Sequence, residues 1–120
     1  MGDSLIYHLC PRAAWEAARA VGHYDGSAAD RADGFIHFST AAQVAASAAK
    51  HHAGRTGLVL LGVDPAPLGD ALKWEPARGG DLFPHLYGPL PVAAVRRVAD
   101  LPLGPDGRHL FPPLDGPDDR

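Results

Sequence analysis

The sequence predicts an α+β fold, with two helices among five or six strands in one domain. Three observations predict it. A chain of 120 residues is about one domain long and builds one modest core. Short apolar, β-rich runs recur along it, and two alanine-rich segments begin on helix-start residues and end on glycine.

The first strand is LIYHLC at 5–10, and PRAAWEAARAVG follows it. Pro11 suits a first helical position, Trp15, Ala18 and Val21 share a face, and Gly22 suits the stop. HYDGSAADRADG at 23–34 carries turn formers and no apolar period, so a long loop is expected there. Loops of that length in compact domains are often functional. FIHFS at 35–39 reads as a strand with Phe35, His37 and Ser39 on one face and Ile36 and Phe38 on the other.

Thr40 and Gln43 form a capping-box pattern that opens a second helix, which runs through Lys50, His51 and His52 to Gly54. GLVLLGVD is expected to be a strand buried on both faces. ALKWE at 71–75, PHLYG and VAAVRRVADLPL supply further extended pieces, the last read as strand because of its valines and flanking prolines. Residues 1–114 are expected to form the single domain, with DGPDDR at 115–120 as a solvated tail.

With 46 % hydrophobic and 21 % charged residues the composition is that of a globular protein. A net charge of -3 argues against a broad nucleic-acid or membrane face. The apolar runs fall far short of the ~20 residues a bilayer span needs, and MGDSLIYH has no basic segment leading an apolar one. Gly2 follows Met1, but Ile6 stands where a myristoylation signal needs Ser or Thr. Cys10 is the single cysteine, which rules out an internal disulfide. A cytoplasmic protein is expected.

The reactive side chains crowd into KWEPARGGDLFPHLYGPLP at 73–91. Glu75 ends an apolar strand just before Pro76, where it suits a general base, a metal ligand or a partner for a sugar hydroxyl; an edge glutamate in solvent or paired with Arg78 is the alternative. Phe83 and Tyr87 form an aromatic wall around His85, held on backbone stiffened by Pro84 and Pro89. His37 and Ser39 point one way from their strand, either lining a cleft or joining a structural network. His51 and His52 complement a helix dipole, while His23 and His109 sit in loops without an evident partner. His8, His37 and His85 with Glu75 are zinc-type ligands, but no pair has metal-ligand spacing, and no metal is expected.

Taken together, IYHLCPRAAWEAA, DGFIHFST and LKWEPARGGDLFPHLYGPLPVAAV resemble the small bacterial family known as domain of unknown function 952. The resemblance runs from Ile6 to Leu101 and implies a shared site of His8, His37, Ser39, Glu75, His85 and Tyr87. It also implies a fold similar to the ADP-ribosyltransferases, a bent and mostly antiparallel sheet that binds NAD. On that pattern His8 would hold the nicotinamide ribose or a phosphate, and Ser39 with Thr40 the ribose. Glu75 would accept a ribose hydroxyl and stabilise positive charge on the sugar, and Tyr87 or Phe83 would stack on a ring. The pattern departs at Lys73, where those enzymes carry a second Glu or Gln, and FPHLYG has no counterpart in it. The expected partner is therefore a nucleotide such as NAD, held for catalysis by Glu75, His8 and His85, or else a small polar ligand that the same cleft binds without transforming it.

Overall fold

The computed structural model describes residues 4–114. The Gly2 signal and the 115–120 tail lie outside the described residues. The architecture is α+β, with β1 (Ile6–Pro11), α1 (Arg12–Val21), β2 (His23–Tyr24), α2 (Ala28–Asp33), β3 (Ile36–His37), α3 (Val44–His51), β4 (Leu58–Val63), β5 (Leu72–Pro76), β6 (Leu82–Leu86), β7 (Leu90–Pro91) and β8 (Val95–Asp100). Short 3₁₀ turns precede β5, β6 and β8.

The strands form three small sheets, ordered β1-β4-β8, β2-β7 and β3-β6-β5, and each recorded pairing is antiparallel. An antiparallel bridge between Tyr7 and Ser39 ties the first sheet to the third. Where one bent sheet of five to six strands was expected, the described residues thus divide their strands among three sheets.

The central strand of the first sheet, β4, is buried on both faces, which is why GLVLLGV is apolar without alternation. Tyr7 and Leu9 of β1 and Leu58 and Leu60 of β4 pack with Val44 and Ala48 of α3 and with Leu101. The opposite faces, Ile6 and Cys10 with Val59, Leu61 and Val63, pack on Trp15 and Ala18 of α1 and on Tyr24, Ile36, Phe38, Leu86 and Leu90. Each large aliphatic side chain taken fully out of water contributes roughly 1.5–3 kcal/mol. His8 points to this second side, toward the loop that follows α1.

Three details correct the sequence reading. Pro11 closes β1 and caps α1, so that Arg12 is the first helical residue. Val21 is 67 % exposed, because residues three apart drift around a helix and Gly22 turns the chain left-handed right after it. The expected 23–34 loop contains β2 and α2. That helix was invisible to an apolar-period search because the residue it buries is Asp30. Its start is a capping box: Ser27 accepts from the Asp30 N–H and the Asp30 carboxylate accepts from the Ser27 N–H.

The Thr40/Gln43 box also forms, with Thr40 N–H donating to Gln43 Oε1 at 3.0 Å and Gln43 N–H to Thr40 Oγ1 at 3.2 Å. A turn over residues 41–43 then leads into α3 at Val44. No helix among the described residues is long and apolar enough to cross a membrane.

Candidate functional site

Strand register assembles the site. β6 is the centre of its sheet, with His85 directly opposite His37 of β3 on one side and Lys73 of β5 on the other. Side chains alternate across a strand, so Phe83, His85 and Tyr87 share a face with Lys73 and Glu75. Trp74 leaves β5 by the opposite face and is 47 % exposed.

On the shared face Glu75 Oε1 accepts two hydrogen bonds, from the Tyr87 hydroxyl at 2.7 Å and from His85 Nδ1–H at 2.8 Å. These donors, Tyr87 first and His85 second, hold the Glu75 carboxyl below the usual carboxylate range, and the same bond pushes the Tyr87 phenol up. Phe35 stacks on His85 with ring centroids 4.1 Å apart and also touches His37 and Tyr87. A half-exposed carboxylate thus sits beside an aromatic floor.

A second carboxylate network lies next to it. Asp30, 3 % exposed, accepts from the His37 N–H at 3.2 Å and from His37 Nδ1–H at 2.6 Å, while Asp33 takes the other ring nitrogen of His37 at 3.0 Å. Both ring nitrogens face carboxylates, an arrangement that favours the imidazolium form of His37. The Asp30 bond, opposed by partial burial, raises its pKa. Burial alone would push Asp30 up, but its hydrogen bonds from His37 and the Ser27 N–H outweigh that and bring it to about 2.

His8 closes the network from below. Its Nδ1–H donates to the His37 carbonyl at 2.6 Å, and Nε2 accepts from the Tyr24 hydroxyl at 2.8 Å. Burial keeps His8 neutral by lowering its pKa, against the pull of Asp30. The Cys10 thiol is buried in the same enclosed space, and burial raises its pKa to about 11.

The expected site residues therefore divide into two groups. Glu75, His85, Tyr87 and His37 converge on one open face, with Phe83 half-buried beside them. His8, Ser39 and Thr40 are drawn inward: His8 is 6 % exposed, Ser39 is buried with its hydroxyl on Ser47 of α3, and the Thr40 hydroxyl caps the turn before α3. The Arg78 side chain lies outside the described ones.

Asp30, Asp33, Tyr24 and Phe35 were not expected in the site. The Ser27-x-x-Asp30 spacing was the available signal for the first, but it lay in a segment read as loop. His109 has a partner after all, donating from Nε2 to the Arg55 carbonyl at 2.8 Å.

Beside Phe35 lies an open cavity of about 270 Å³, bounded by Asp25, Asp30 and Arg31 on one side and by Leu86 and Gly88 on the other. Among the described residues no group of three or more His, Cys, Asp or Glu side chains is placed to hold a metal ion.

The family model described as protein of unknown function (DUF952) matches residues 9–98. The crystal structure of protein CC0527 from Caulobacter crescentus is similar over 89 % of this chain and 94 % of that one, with 53 % identity and a TM-score of 0.86. The solution NMR structure of CC0527 is similar over 87 % of this chain and 90 % of that one, with 55 % identity and a TM-score of 0.78. No curated protein matches significantly. With its motifs, its fold and three quarters of its length in agreement with that model, the chain belongs to the DUF952 family.

Proposed function

We propose that the Glu75 face binds a nucleotide of the NAD type and acts on it as an ADP-ribosyltransferase-like enzyme does. The observation that carries this reading is the state of Glu75: ionised, with Oε1 fixed by Tyr87 and His85, and with no partner for Oε2 among the described residues. A carboxylate fixed in that way can accept a ribose hydroxyl and stabilise positive charge as the glycosidic bond breaks. Phe35 and Tyr87 offer ring surface for a nicotinamide or adenine, and His37, whose charged form Asp30 and Asp33 favour, lies nearby.

A second reading is a non-enzymatic module that holds a small polar ligand on the same face. It is favoured by the enclosure of His8 and Ser39, whose hydrogen bonds are spent inside the protein, so that the first strand offers no clamp for a ribose or phosphate.

A thermal-shift titration with NAD, ADP-ribose and nicotinamide tests both. A ligand at a hundred times its dissociation constant adds about 2.7 kcal/mol, enough to move the midpoint of a small domain by several degrees. A saturable rise that Glu75→Gln removes is expected on the first reading. No rise with any of the three leaves only the binding module, to be pursued with a metabolite screen.

A further inference from the structure

The Glu75 carboxylate has a second consequence, for the histidine beside it. His85 donates from Nδ1 to Glu75 Oε1 at 2.8 Å, so in the neutral ring the proton sits on Nδ1 and Nε2 carries the lone pair. Nε2 has no hydrogen-bond partner among the described residues. The ring itself is 7 % exposed and is held flat against Phe35, at 24° between planes, so its direction is set by packing as well as by Glu75. An imidazole oriented by a carboxylate, with its other nitrogen open, is the arrangement of a general base.

The neighbouring histidine cannot serve in that way. His37, opposite His85 across β3 and β6, has both nitrogens on carboxylates. His8 has both nitrogens engaged and enclosed. Of the three histidines gathered here, His85 is the one able to take a proton from a ligand.

We infer that His85 Nε2 is the proton acceptor of this site and that the group it activates is water, which makes the activity hydrolytic. The inference rests on the NAD-type reading of the Glu75 face. The acceptor must be small because the His85 ring is 7 % exposed and stacked on Phe35, which admits a compact oxygen nucleophile best. In the step, the water oxygen forms a bond to the anomeric carbon while His85 Nε2 takes its proton. The carbon–nitrogen bond to the pyridinium breaks, its electron pair neutralises the ring nitrogen, and nicotinamide leaves with ADP-ribose as the other product. Glu75 then has two oxygens in two tasks, Oε1 holding the imidazole and Oε2 facing the ribose.

The test is nicotinamide release from NAD across a pH series, paired with calorimetric binding of ADP-ribose, for the wild type and His85→Asn. Asparagine can keep a donor near Nδ1 for Glu75 while removing Nε2. The groups facing His85 are Glu75 and Lys73 from β5, His37 from β3, and Tyr87 beyond the end of β6, and all are retained in this variant. A general base contributes about 100-fold or more, so His85→Asn is expected to slow release by at least that factor and to keep ADP-ribose affinity.

Release that is equally fast in His85→Asn overturns the inference and leaves the NAD reading standing, and so does ADP-ribose binding without any release. Absence of ADP-ribose binding overturns both. If His85→Asn does not fold, ¹⁵N NMR of the wild type decides: a proton on Nε2 at mildly alkaline pH overturns the assignment.

Discussion

His37 and His85 stand directly opposite each other on β3 and β6, with ring centroids 5.6 Å apart, yet they give their Nδ1 protons to different carboxylates, Asp30 and Glu75. His37 meets a second carboxylate, Asp33, at Nε2, and His85 meets none there. Two neighbouring imidazoles of one sheet therefore have different hydrogen-bonding surroundings.

His37 is expected to titrate above its ordinary value of 6.5. Because its folded pKa is raised, the stability it contributes is fully present below about pH 6.5 and is lost as pH rises through the folded value. NMR titration of the ring checks this. Asp30→Asn should move the midpoint back down, and a midpoint unchanged by that substitution would contradict the network.

His8 works in the opposite sense. Burial lowers its pKa, so below about pH 6.5 the unfolded chain takes up a proton that folded His8 refuses, and stability falls with pH. Urea midpoints measured across that range should decline toward acid in the wild type and decline less in His8→Gln.

Asp30→Ala should cost about 3 kcal/mol, because it strands the Ser27 and His37 N–H groups and leaves His37 without its inner carboxylate. Denaturant unfolding measures the loss. Acid weakens the same network: Asp30 titrates at about 2 instead of 3.8, so its contribution is present above pH 3.8 and is lost as pH falls toward 2.

Gly26 and Gly22 both adopt left-handed backbone, at φ 94° and 97°. Alanine at either costs about 1–2 kcal/mol for that conformation. Gly26→Ala should cost more, since its Cβ would lie 2.8 Å from Asp30 Cβ and 3.2 Å from Ile36 Cγ1, whereas the Cβ at Gly22 meets nothing within 4 Å. Equal losses in thermal melts would count against the close packing around Asp30.

Tyr87→Phe removes the larger of the two influences on Glu75, so the Glu75 carboxyl should titrate higher, as read by carboxyl NMR. Global stability should change little, because the pair is exposed to solvent.

Much of this architecture is written in local pattern. The unbroken apolar run at 58–63 reports a strand buried on both faces, and the Thr40/Gln43 pair reports a helix start, because each depends on residues close together in the chain. The crowding of Glu75, His85 and Tyr87 within 13 residues likewise places them on neighbouring strands of one hairpin, where alternation puts all three on one face. What local pattern could not carry was the use made of each polar group. His8 and His37 are separated by 29 residues, and only the folded chain sets the His8 ring against the His37 carbonyl and turns it inward. Asp30 escapes an apolar-period search because it is buried by its hydrogen bonds and not by hydrophobicity, and the groups that compensate its charge come from β3 and the Ser27 cap. Local hydrophobic spacing determines which segments become strands and helices. Which histidine is enclosed, which is charged and which keeps a free nitrogen depends on long-range register, since protonation follows the partners that tertiary contact supplies.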